Sequence, residues 1–93
     1  DMNESEFRAA AEQGGFEVPA AKSKAAGVFN DTHTHDDDVF LLITDGEIVI
    51  ELGSERRVCG PGDSIMVAGN VPHTERVSAE GVSYLATRRA ARS

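Results

Sequence analysis

Two hydrophobic periodicities divide the chain. Over residues 3–13, Phe7, Ala10 and Ala11 recur at i, i+3 and i+4 among polar residues, which predicts one face of a short helix. Asn3 is a favourable N-cap, and Glu6 stands three residues on, the spacing of a capping box. Glu4 and Glu6 also put negative charge at the positive end of the helix dipole. Gly14 and Gly15 end the helix. Its expected role is packing, over an open edge or end of the sheet that follows.

From Phe16 onward the helical period gives way to brief apolar runs between turn residues. Phe16–Val18 reads as a short strand cut off by Pro19, and Ala20–Ala26 as an edge strand or loop. Val39–Thr44 is apolar, and Asp45-Gly46 is a strong turn dipeptide. Glu47–Leu52 alternates, with Ile48, Ile50 and Leu52 on one face. Turns at Gly53-Ser54, Gly60–Asp63 and Gly69-Asn70 separate strands at Arg56–Cys59, Ser64–Ala68 and His73–Val77, and Val82–Thr87 closes the series. Many short strands joined by Gly, Pro, Asn and Asp predict an all-β sandwich or barrel, with no βαβ alternation for a parallel nucleotide-binding sheet. The 93 residues suffice for one domain, with the helix over about 3–13 and the barrel over about 16–88. A domain of this size is marginally stable alone, so a homodimer is expected.

Composition narrows the partners. The formal charge of -7 disfavours a nucleic-acid backbone or an anionic membrane, both of which reward a basic surface. Arg88, Arg89 and Arg92 read as a solvated basic tail. Cys59 stands alone and suits a small buried apolar position, and its thiol accords with a reducing, cytoplasmic setting. No run approaches the roughly 18 apolar residues of a membrane helix, and no signal peptide is read.

The candidate chemistry lies in three histidines. His33-Thr34-His35 would put two imidazoles on one face of a strand, since i and i+2 share a face. Alone, the pair also fits a solvent-facing strand. His73 heads a strand some way downstream, where an antiparallel neighbour could bring it to the same point, although it could also cap a turn. Convergence of three imidazoles is what a divalent metal ion requires.

The segment Gly27-x5-His33-x-His35-x3-Val39-x6-Gly46 resembles the first motif of the cupin superfamily, G-x5-H-x-H-x(3,4)-E-x6-G. Gly62 to His73 and on to Val77 resembles the second, G-x5-P-x-G-x2-H-x3-N. The resemblance spans residues 27–77 and implies a small antiparallel β-barrel of the cupin, or jelly-roll, type with one short N-terminal helix. It also implies one divalent metal ion (Fe, Zn, Ni or Mn) held by His33, His35 and His73. Three motif positions differ. The glutamate ligand falls on Val39, the proline on Ala68 and the final asparagine on Val77. A fourth difference is milder. Asn70 replaces a glycine, and Asn is the side chain that best tolerates φ > 0.

With Val39 unable to bind metal, two arrangements compete. One is three histidines with open positions, similar to cupin oxygenases that lack the glutamate. The other recruits Asp38, which would need a bulge or twist to turn inward. Asp36 and Asp37 read as a solvated acidic turn. Glu75 shares the face of His73 and could reach the ligand pocket as a base. Tyr84 and Thr87 could line the barrel. Function then divides three ways. The first is a metal-dependent, dioxygenase-like enzyme acting on a small organic molecule. The second is a non-catalytic module that binds or senses a small ligand. The third is a structural metal site.

Overall fold

The structure, a computed structural model, describes residues 1–91. The N-terminal segment follows its local sequence. Helix α1 (Glu4–Gln13) begins at Asn3, whose side chain accepts from the Glu6 N–H, while the Glu6 carboxylate accepts from the Asn3 N–H. Both bonds satisfy donors that a helix start leaves open. Phe7 and Ala11 form its buried face.

Six strands follow: β1 (Ala20–Lys24), β2 (Phe29–His33), β3 (Asp37–Leu52), β4 (Glu55–Cys59), β5 (Ser64–Val67) and β6 (His73–Ala90). All pairings are antiparallel. The long strands β3 and β6 pair along most of their length and organise the rest. The first half of β3 and the second half of β6 are flanked by β5 and β1. The second half of β3 and the first half of β6 are flanked by β4 and β2. Two half-sheets thus share a bent central pair and close on one core, the jelly-roll arrangement of an all-β antiparallel barrel. Leu41, Ile43, Ile48, Ile50, Ile65, Val67, Val77 and Val82 from both halves form that core. Cys59 is buried within it, as expected of a small apolar side chain.

The bend corrects one expectation. Asp45-Gly46 does not reverse the chain; β3 runs through it, with pairing shifts on either side. Gly46 has φ 76°, and a Cβ there would lie 2.0 Å from the Gly81 carbonyl oxygen, so the positive-φ chemistry makes a bulge at a corner instead of a hairpin. Two further expectations change. Phe16–Val18 is not a strand, although Glu17 donates its N–H to the Arg88 carbonyl and accepts from the Thr87 hydroxyl. Helix α1 covers neither an edge nor an end. Phe7 packs with Leu42, Leu85 and Phe40 on the outer face of the first half-sheet.

Strand parity assigns side chains to the two faces. Val39, Leu41 and Ile43 on β3, with Tyr84, Ala86 and Arg88 on β6, line a cavity of about 600 Å³. Phe40, Leu42 and Leu85 point to the helix side. Thr87 has the parity of Leu85 and is absent from the cavity lining, so only Tyr84 of that pair lines the barrel. Arg88 and Arg89 are not a solvated tail. Arg88 borders the cavity, and Arg89 is held beneath the helix by Asp38 and the Gly14 carbonyl. Arg92 lies outside the described residues.

Candidate metal centre

His73 begins β6 and pairs in register with His33, the last residue of β2. This cross-strand pairing brings the two rings to 4.3 Å between centroids. His35 lies past the end of β2, so strand alternation alone does not align it with His33. Instead its carbonyl accepts the Asn70 N–H at 2.7 Å, tying it to the turn that delivers His73. Asn70 takes φ 64°, the left-handed conformation its residue type tolerates. The His35 ring stands 4.9 Å from that of His33 and 5.1 Å from that of His73.

Backbone carbonyls fix which nitrogens face inward. His33 Nδ1 lies 2.7 Å from the Asp31 oxygen, and His73 Nδ1 lies 3.0 Å from the Val71 oxygen. A carbonyl only accepts, so each Nδ1 carries the proton in these bonds and each neutral ring presents the Nε2 lone pair. Both Nε2 atoms converge on Glu75, at 3.7 Å from His33 and 3.4 Å from His73. These distances exceed the roughly 2.7–2.9 Å of a charge-assisted hydrogen bond. They sit near the about 3.0–3.4 Å expected between ligands that each lie about 2.0–2.1 Å from one ion. One donor atom from each of His33, His35, His73 and Glu75 lies within 4.8 Å of the others. The donor set therefore fits a divalent metal ion.

Glu75 alters the expected donor set. The structure places the Glu75 carboxylate beside the three histidines and does not bring Asp38 to them. Asp38 sits on the opposite face of β3 from Val39 and Leu41, with no bulge to turn it. Its oxygens accept from the Gly69 N–H at 2.8 Å and from Arg89 Nε at 2.9 Å. The sequence places Glu75 on the His73 face and in reach of the pocket, which it does line, but not among the metal donors. That this face meets β2 requires the register. Glu75 is held by Asn30, its cross-strand partner on β2, whose amide donates at 3.2 Å.

The cluster opens on the cavity. His73 is almost wholly buried, His33 is half-buried and His35 is exposed. Although His35 is exposed, its pKa is lowered, first by partial desolvation of the ring and then by the neighbouring His73 and His33 rings, so the ring is biased toward its neutral form. Tyr84, 8% exposed at the cavity wall, has its pKa raised by burial and by Glu75, which keeps the phenol protonated as a hydrogen-bond donor. Sequence reasoning missed Lys22 and Lys24 as lining residues, although their i, i+2 spacing on β1 was the available signal.

Similar structures share the fold. A cupin superfamily protein from Desulfitobacterium hafniense matches with a TM-score of 0.66 at 23% identity, over 75% of this chain and 63% of its own. The DMSP lyase DddQ from Ruegeria pomeroyi matches at 0.68 and 25% identity, over 75% and 36%. The Cnp3 cupin domain of Schizosaccharomyces pombe matches at 0.70 and 13%, over 81% and 52%. The chain spans less than two thirds of the length of each of these relatives. No curated protein sequence matches. The cupin domain family model matches residues 23–86, which carry β2 to β5, most of β6 and all four converging donors, and the chain belongs to that family.

Proposed function

We propose that this protein holds one divalent metal ion on His33, His35, His73 and Glu75, and takes a small organic molecule beside it as a metal-dependent enzyme. The observation that carries this reading is the opening of the four-donor cluster onto the cavity of about 600 Å³. A structural metal site is closed, with every position filled by protein. Here one side of the cluster faces a space of ligand size.

When bound, the ion would supply Lewis-acid polarisation and a site for exchangeable ligands. The chain's own residues do the rest. Nδ1–H bonds to backbone carbonyls aim the His33 and His73 lone pairs. Glu75 offsets part of the ion's charge. Tyr84 offers a proton-bearing oxygen to whatever lies in the cavity. Val39, Leu41 and Ala86 present an apolar wall to the body of a substrate.

Dioxygenase-like chemistry is one outcome of such a site, and the likeness to a DMSP lyase at 25% identity makes lyase chemistry another. Anaerobic purification with metal analysis, then oxygen-uptake and elimination assays over small thiols, diketones and aromatic acids, tests the reading. Stoichiometric metal with substrate-dependent turnover supports it. Metal that is tight and does not exchange, with no bound small molecule in native mass spectra, refutes it. Bound ligand without turnover would favour a sensing module instead. We also propose a cytoplasmic homodimer. Exposed Val18, Phe29, Val58 and Met66 on this small chain favour association, and sedimentation as a monomer at high concentration would exclude it.

A further inference from the structure

The cavity wall opposes the charge of the whole chain. Lys22 and Lys24, two residues apart on β1, face the cavity with Arg88 on the adjacent strand β6. Asp31 and Glu75 are the carboxylates that line it. The cavity therefore carries one excess positive charge within a chain of net charge -7, and three once a divalent ion is counted.

These cations are weakly engaged. Lys24 reaches Glu75 only at 3.9 Å, and Arg88 reaches Asp37 at 3.7 Å between half-exposed side chains. Among the described residues Lys22 has no carboxylate within ion-pair distance. Loose pairs at a solvated surface contribute little to stability. Low-dielectric walls around one sign of charge do, however, concentrate the field on an entering anion. Val39, Leu41, Ala86 and the Tyr84 ring line the same cavity, and Lys24 stands at the edge of the histidine cluster beside Glu75.

We propose that Lys22, Lys24 and Arg88 form an anion-binding rim, and that the cavity's ligand is a small organic acid with an apolar body. This rests on the proposed ligand site at the metal and names its substrate class. The carboxylate docks on the rim, where Arg88 offers a planar fork of donors and the lysines add point charges. The apolar body lies along the Val39 and Ala86 wall. A second oxygen or sulfur donor on the same molecule turns toward His33, His35 and His73.

The test is equilibrium binding to the metal-loaded protein, with salicylate and 2-oxoisovalerate as acid probes and their amides as neutral counterparts. Each acid is expected to bind at least tenfold more tightly than its amide. Lys22→Gln and Arg88→Gln, both at exposed positions, should each weaken acid binding several-fold and amide binding by less. Raising salt from low to high concentration should weaken the acids alone. Equal affinity for acid and amide, no acid binding by millimolar concentration, or acid binding indifferent to both substitutions overturns the proposal. Metal analysis of the unaltered protein, beside the same acid and amide titrations, separates this from the metal reading. If metal analysis shows no stoichiometric ion yet the acid preference survives, the metal reading fails and the anion rim stands. If metal binds and no acid preference appears, the rim fails alone.

Discussion

Asp38→Ala should destabilise the protein strongly without removing a metal ligand. The Asp38 carboxylate, 8% exposed, holds two charge-assisted bonds, from the Gly69 N–H at 2.8 Å and from Arg89 Nε at 2.9 Å. Arg89 in turn donates to the Gly14 carbonyl at 2.6 Å and stacks over the Phe16 ring at 4.3 Å. One carboxylate thus joins the helix C-terminus, β3, β6 and the turn ahead of His73. Breaking a buried ion pair by removing one partner costs about 3–5 kcal/mol. Arg89 keeps its carbonyl and ring contacts and is itself 19% exposed, so the low end applies, about 3 kcal/mol. At about 4–8 °C per kcal/mol for a domain of this size, the melting midpoint should fall by more than 10 °C. The assay is urea and thermal unfolding of metal-free protein, so that ion binding does not contribute to the midpoint. Asp38→Leu combined with Arg89→Met should recover part of the loss, because it leaves no unpaired charge. A loss under about 1 kcal/mol would refute the reasoning. An unchanged midpoint with metal affinity reduced a hundredfold would instead make Asp38 a ligand.

Three further outcomes follow from the same geometry. Glu75→Gln keeps an acceptor for Asn30 but removes the charge, and should lower metal affinity by about tenfold or more in a competition titration; unchanged affinity would mean the histidines suffice. Gly46→Ala should cost about 2–4 kcal/mol in urea unfolding, combining a positive-φ penalty with a Cβ driven into the Gly81 carbonyl; a wild-type midpoint would show that the corner relaxes freely. Cys59 is 1% exposed and its thiol pKa is raised, chiefly by burial, so at pH 8 the folded protein should hold less thiolate than a free cysteine and react slowly with iodoacetamide. Alkylation as fast as free cysteine under native conditions would contradict that placement.

The sequence by itself determined what depends on near neighbours. The Asn3 and Glu6 spacing is enough to start α1, because both bonds of the box close within one turn. Alternation in Glu47–Leu52 buries Ile48 and Ile50 because successive side chains on a strand must take opposite faces. The two-motif spacing anticipated that His33, His35 and His73 meet, and Asn70 that its turn needs φ > 0.

Only the tertiary structure decided the rest. Asp45-Gly46 carries turn chemistry, and whether that makes a hairpin or a bulge depends on the strand beside it; β6 runs alongside both halves of β3, so the chain continues. Asp38 and Glu75 show the same limit. Both are acids near a histidine, and one faces the helix while the other faces the cluster. Parity gives each residue a face, but which strand that face meets is set by pairing between residues far apart in the chain: Asp38 lies opposite Arg89 on β6, whereas Asn30 of β2 lies opposite Glu75 and places it beside His33. The basic residues obey the same logic. Lys22 and Lys24 become neighbours of Arg88 only when β1 pairs with β6, a contact across some sixty positions that no local pattern encodes.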